Sequence, residues 1–155
     1  MLTSKQYEAI GRLALGFNEI ENVIDTYVPH LIGAPEWEVA ELLADPGADF
    51  ERKANRLVRI VGAIAEHFDL CTPRAILVRD YLKRAKELAG QRNGYVHALV
   101  IMNFRKNEAH IRVRKTVQPV DEAAIIELAQ SALELAKRLD GECAELYLQL
   151  VELRK

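Results

Sequence analysis

Two arginine–histidine pairs stand out by residue type and spacing. One is Arg92 and His97 in Arg92-Asn93-Gly94-Tyr95-Val96-His97; the other is Arg105 and His110 across Arg-Lys-Asn-Glu-Ala-His. An arginine and a histidine suffice to break RNA without a metal. The guanidinium presents oriented donors to phosphate oxygens, and the imidazole exchanges a proton near neutral pH. Spacing alone is a weak signal, because thirteen arginines and four histidines produce such matches by chance. Context separates the two. Arg105 and His110 span a charged turn, a setting for solvated residues or loose phosphate contacts. Arg92 and His97 follow a helical run, bracketed by Gly90 and Gly94, with Val96, Leu99 and Val100 drawing the segment toward a core. Residues five apart on an unbroken helix diverge by about 140°, so convergence on one cleft requires the glycines to loosen the chain.

The elements that must position these residues are mostly helices. Ser4 can cap a first helix in which Ile10, Leu13, Phe17, Ile20, Ile24, Tyr27/Val28 and Leu31 recur at three- and four-residue steps, ending near Gly33 and Pro35. A short helix from Trp37 to Leu43 is expected next, stopped by Asp45-Pro46-Gly47. A third begins at Asp49 and turns Leu57, Ile60, Val61, Ile64, Ala65 and Phe68 inward. Thr72-Pro73 opens a fourth whose inward face is expected to be Ile76, Leu77, Tyr81, Leu82, Ala85 and Leu88. Residues 98–104 and 109–117, flanking a polar turn, read as a β-hairpin arm. Asp121 caps a last long helix carrying Ile125, Ile126, Leu128, Leu133, Leu135, Ala136, Leu139, Leu146, Leu150 and Leu153, with a kink expected at Gly141. The fold class is all-α: one domain over 1–155, an antiparallel bundle of about five helices with a small β-hairpin (98–117) inserted before the last. Its long apolar seams suggest a homodimer.

Composition narrows the function classes. Two cysteines, Cys71 and Cys143, are too few for a disulfide framework, and the N-terminal residues lack a signal-peptide core, so a cytoplasmic protein is expected. No run is long and apolar enough to suggest a membrane span. His67 and Cys71 share the four-residue spacing of half a metal site, but no second half follows, so neither a metal nor another cofactor is expected. Ser4 and Ser131 sit in no nucleophile pattern, and there is no glycine-rich phosphate loop. The net charge of −2 hides an asymmetry: residues 74–115 hold eleven Lys/Arg against three acids, and the rest holds ten against twenty. Such segregation either draws a polyanion to one surface or is neutralised by pairing across helices.

Arg92-Asn93-x-x-x-His97 at the end of a helix in a small all-α chain resembles the HEPN superfamily, as does Phe17-Asn18-Glu19-Ile20-Glu21 within a long apolar helix. The resemblance implies a dimerising helical bundle that brings two Arg/His pairs to a shared cleft. It also implies a metal-independent endoribonuclease of a toxin or phage-defence system, with an antitoxin or other protein partner. In members regulated by nucleotidylation a tyrosine lies two residues past the histidine; here Leu99 stands there, so that regulation is not expected. On this reading the ribose 2′-hydroxyl attacks the adjacent phosphate, which leaves DNA uncut. His97 acts as general acid or base, Arg92 holds the non-bridging oxygens, and Asn93 orients the phosphate or the imidazole. Lys83, Arg84 and Lys86, with Arg105, Lys106, Arg112 and Arg114 of the arm, guide the RNA backbone. Glu19 and Glu21 are either solvated acids or supports for Arg92. The alternative is a non-catalytic dimeric module of the same fold that binds RNA, a nucleotide or a protein.

Overall fold

The chain enters its first helix through a reciprocal cap. Thr3 Oγ1 accepts the Gln6 N–H at 3.2 Å and Gln6 Oε1 accepts the Thr3 N–H at 2.9 Å, so α1 (Ser4–Ile32) is capped one residue before the expected Ser4. Thr3 wins because only it has a glutamine three positions on. The computed structural model describes residues 3–33, 48–96, 100–103, 108–113, 116–119 and 121–155. The short helix expected at Trp37–Leu43 lies outside them.

Four α-helices make up most of the described chain. Asp49 caps α2 (Phe50–His67) by accepting the Arg52 N–H at 2.8 Å. A 3₁₀ turn, Asp69–Cys71, runs directly into α3 (Thr72–Val96), so Thr72 has helical backbone and is not a cap. Because α2 ends at His67, His67 and Cys71 do not share a helix face. Asp121 caps α4 (Glu122–Leu153), accepting the Ala124 N–H at 3.1 Å, and α4 passes through Gly141 without a break. Among the described residues no helix is long and apolar enough to cross a membrane.

Between α3 and α4 the backbone forms β1 (Val100–Asn103), β2 (Glu108–Val113) and β3 (Thr116–Pro119), antiparallel in the order β1-β2-β3. The two-stranded hairpin expected over 98–117 is therefore not what forms. Its second half divides, and β3 pairs with β2 from Val113↔Thr116 to His110↔Pro119. Pro119 is tolerated there because β3 is an edge strand, where a missing N–H donor leaves no ladder bond unmade.

The helices close into a ring in which α1 meets α2 and α4, α3 meets α2 and α4, and the α1–α4 contact is the most extensive. Leu13, Phe17, Ile20 and Ile24 of α1, Leu57 and Val61 of α2, Leu82 and Leu88 of α3, and Leu135, Leu139, Leu146 and Leu150 of α4 form one buried core. Gly16 permits the close approach of α1 and α4: a Cβ there would sit 3.0 Å from the Ala129 carbonyl oxygen and 3.1 Å from the Ala132 Cβ. The expected inward face of α3 needs correction. Ala75, Val78, Leu82, Ala85, Leu88 and Ala89 are buried, whereas Ile76 is 50% and Leu77 40% exposed. Counting back from Leu82 by helical steps reaches 78 and 75, so the two larger residues are out of phase with the core.

Candidate nucleic-acid interface

Arg92 sits on α3, which continues as helix through both Gly90 and Gly94 to Val96. The expected loosening at the glycines does not occur, and His97 lies outside the described residues. Three helices converge on Arg92. Phe17 of α1 and Phe50 of α2 meet edge-to-face, ring centroids 6.0 Å apart at 78°. The Arg92 Cζ lies 4.7 Å from the Phe17 centroid and 6.0 Å from that of Phe50, so the half-buried guanidinium rests against aromatic faces. Its Nε and Nη2 donate to Asn93 Oδ1 at 3.3 and 3.1 Å, and Nη1 has no hydrogen bond among the described residues. Burial pushes the guanidinium below its ordinary range while the charge of Glu21 opposes that shift. The group stays cationic, since arginine begins from so high a value.

Glu21 also belongs to a charge cluster around a buried lysine. Lys53 of α2, only 8% exposed, donates from Nζ to Asp25 Oδ2 at 2.8 Å and to Glu21 Oε2 at 3.4 Å. Burial disfavours the charged ammonium, but Asp25 and then Glu21 outweigh it, and the Lys53 value rises. Glu21 thus carries part of the charge balance for both Lys53 and Arg92, without a hydrogen bond to the latter. Glu19 does not join it. Two positions away on α1, it lines a groove of about 500 Å³ against α4, beside Lys137 and Asp140.

The Arg92 cleft, about 300 Å³, is lined by Lys86, Gly90, Arg92 and Asn93 of α3 and by Asp49, Phe50 and Glu51 at the start of α2. Asp49 is committed to its cap, and Lys86 Nζ donates to Asn55 Oδ1 at 2.6 Å. Lys86 and Asn93 are therefore brought together with Arg92. Lys83 lies one turn before Lys86, in a neighbouring groove. Arg84 is turned away and pairs with Glu87 at 3.1 Å. Arg105, Lys106, Arg114 and Leu99 lie outside the described residues, and Arg112 falls within β2.

Sequence reasoning missed Lys53, Asp25 and the aromatic rest for Arg92. A signal existed: Lys53 falls at helical spacing with Phe50, Ala54 and Leu57, so a lysine on an apolar face had to find an acid across the core. Among the described residues no cluster of three His, Cys, Asp or Glu is placed to hold a metal ion. The chain matches no family model, no curated protein and no solved structure.

Proposed function

We propose that this chain is a HEPN-type RNA-processing domain, a metal-independent endoribonuclease in which Arg92 holds a backbone phosphate and His97 moves the proton. The observation that carries this reading is the state of Arg92. Its guanidinium is partly desolvated and fixed by Phe17, Phe50 and Asn93, yet it has donors unused among the described residues and opens on a cleft it shares with Lys86. A cation held this way meets a phosphate with little reorganisation, and its attraction for developing charge is greater than in water. In the proposed reaction the 2′-hydroxyl attacks phosphorus, the 5′-oxygen leaves, and a 2′,3′-cyclic phosphate remains. His97 takes the proton from the nucleophile or returns one to the leaving oxygen. A homodimer supplies a second Arg92/His97 pair, so that one histidine serves each role. An antitoxin or other protein partner would act by covering this cleft.

The test is cleavage of a mixed RNA pool by purified protein in EDTA, beside Arg92→Ala and His97→Ala. The expected outcome is cleavage leaving cyclic-phosphate ends, slowed at least about a hundredfold in each variant. Equal cleavage by all three proteins would overturn the assignment. Absence of cleavage with retained, Arg92-dependent RNA binding would favour the non-catalytic module. The packing of Arg92 against Phe17 and its attraction to Glu21 favour that second reading, since they give the arginine a structural role besides any chemistry.

A further inference from the structure

The Arg92 cleft does not end at Lys86. A second groove of about 390 Å³ runs between α2 and α3, lined by Val58 of α2 and by Ile76, Arg79, Asp80, Lys83 and Lys86 of α3. Lys86 belongs to both concavities. Positions 79, 83, 86, 90 and 93 follow the four- and three-residue steps of one helix face, so the two form a single track along α3. From Arg79 to Arg92 the helix rises about 20 Å, room for a few nucleotides of an extended strand.

Some cations of the bundle are neutralised by acids, and others, Lys5, Arg59 and Lys137 among them, have no ion pair among the described residues. Arg12, Arg74, Arg138 and Lys155 are each paired with a glutamate, as is Arg84, which points off the track. Arg79 and Lys83 are exposed and make no ion pair or hydrogen bond among the described residues, and Lys86 meets only the neutral amide of Asn55. Among the described residues Asp80 is the one acid lining the second groove. Beside these charges lie Val58 and the half-exposed Ile76. Phosphate-seeking cations along an apolar strip suit a strand whose backbone and whose sugars and bases are both accessible. A duplex hides its bases and offers the apolar strip nothing.

We propose that the α2–α3 groove guides the flank of a single-stranded RNA toward Arg92, with Arg79 and Lys83 contacting its phosphates. The proposal rests on the reading of the Arg92 cleft as an RNA site. These contacts carry no base code, so the track accepts any sequence.

The test is fluorescence anisotropy with a labelled twelve-nucleotide RNA of mixed sequence, single-stranded or annealed to its complement. The parent is the His97→Ala protein, so that the probe stays whole. Adding Arg79→Gln and Lys83→Gln together is expected to weaken single-strand binding at least tenfold. The same pair is expected to lower the slope of log K against log salt by about 1.4, two contacts at the single-strand value. The duplex is expected to bind at least tenfold more weakly than the single strand, and Arg12→Gln with Arg138→Gln to leave binding unchanged. Both groove residues are exposed, so circular dichroism should match the parent; Lys83→Glu alone is expected to weaken binding further than Lys83→Gln. Binding within twofold of the parent for the double variant, or equal affinity for duplex, overturns the track. If Arg92→Ala loses binding while the groove pair does not, the track falls and the cleft stands. If the groove pair loses binding and Arg92→Ala does not, the track stands and the cleft falls. No RNA binding by the parent sinks both.

Discussion

Helix α1 meets its neighbours in two different ways. Toward α4 it presents Gly16 to Ala129 and Ala132, and the buried residues along that seam are small or aliphatic. Toward α2 and α3 it presents Phe17, Glu21 and Asp25 to Phe50, Lys53 and Arg92, so a lysine and an arginine lose much of their water. The first contact stabilises by area and close packing. The second carries desolvation that its ion pairs only offset, and apolar residues of similar volume there are often neutral or better for stability. The seam with α4 closes without buried charge. The charged junction is therefore where a role beyond stability is to be sought, and it is the junction that opens on the cleft.

The sharpest way to break the comparison is to damage the seam. Gly16→Val places methyl groups where a Cβ already meets a backbone oxygen at 3.0 Å, and it is expected to destabilise by about 3 kcal/mol in urea unfolding. Cys143 on α4 gives a second readout. Its thiol is fully buried and is pushed up to about 12 by burial, with Asp140 and Glu142 adding to the shift. It should stay unlabelled at pH 8 until the protein opens, and Gly16→Val should speed labelling about a hundredfold. A stability change under 1 kcal/mol would mean the seam is looser than its geometry.

The junction should respond to charge, with a smaller effect. Lys53→Met leaves Glu21 and Asp25 without the cation they hydrogen-bond and is expected to destabilise by about 2 kcal/mol, less than a fully buried pair because both acids keep some water. Adding Asp25→Asn should restore part of that loss, since the remaining acid, Glu21, still has the charge of Arg92 nearby. The folded Lys53 value lies above the ordinary 10.5, so its stabilisation is complete below 10.5 and fades as pH rises through the folded value. The stability gap between wild type and Lys53→Met should accordingly be flat from pH 7 to 10.5 and narrow above it. A gap that narrows below pH 9 would mean the ammonium is not held by Asp25 and Glu21.

This contrast also explains what could be read from the chain. The α1 seam was legible because Leu13, Phe17, Ile20, Ile24, Val28 and Leu31 keep one phase, and the cap Asp121 announces itself by type and position. The phase of α3 was misread because Ile76 and Leu77 are more apolar than Ala75 and Val78, while packing selects register before hydrophobicity. Lys86, Arg92 and Asn93 line one cleft because they lie close together on one element. The partnership of Glu21 with Lys53 and Arg92 joins three helices, and no spacing within one helix encodes it. Glu19 and Glu21 look alike in sequence, and only the rotation of α1 separates them, sending one to the α4 groove and the other to the junction.

The weakest expected effect lies at the end of the α1–α4 seam. Gly33 closes α1 in the left-handed region, at φ 71° and ψ 31°, and its N–H donates to the His30 carbonyl at 3.2 Å. Arg154, just beyond α4, donates from Nη2 to the Leu31 carbonyl at 3.1 Å, so a cation of one helix satisfies the terminal dipole of the other. Gly33→Ala forces a Cβ into the left-handed region and brings it 3.1 Å from Arg154 Nη1, the movable end of a long side chain. The backbone penalty then dominates, and a loss of about 1 kcal/mol is expected. Arg154→Ala should cost about as much, because the carbonyl it leaves belongs to the buried Leu31 and loses its side-chain donor. The two losses should fall short of additivity in the double variant, since the methyl group added by Gly33→Ala already displaces the guanidinium. Full additivity would mean that Arg154 and the α1 cap act independently, and that the seam ends before the helices do.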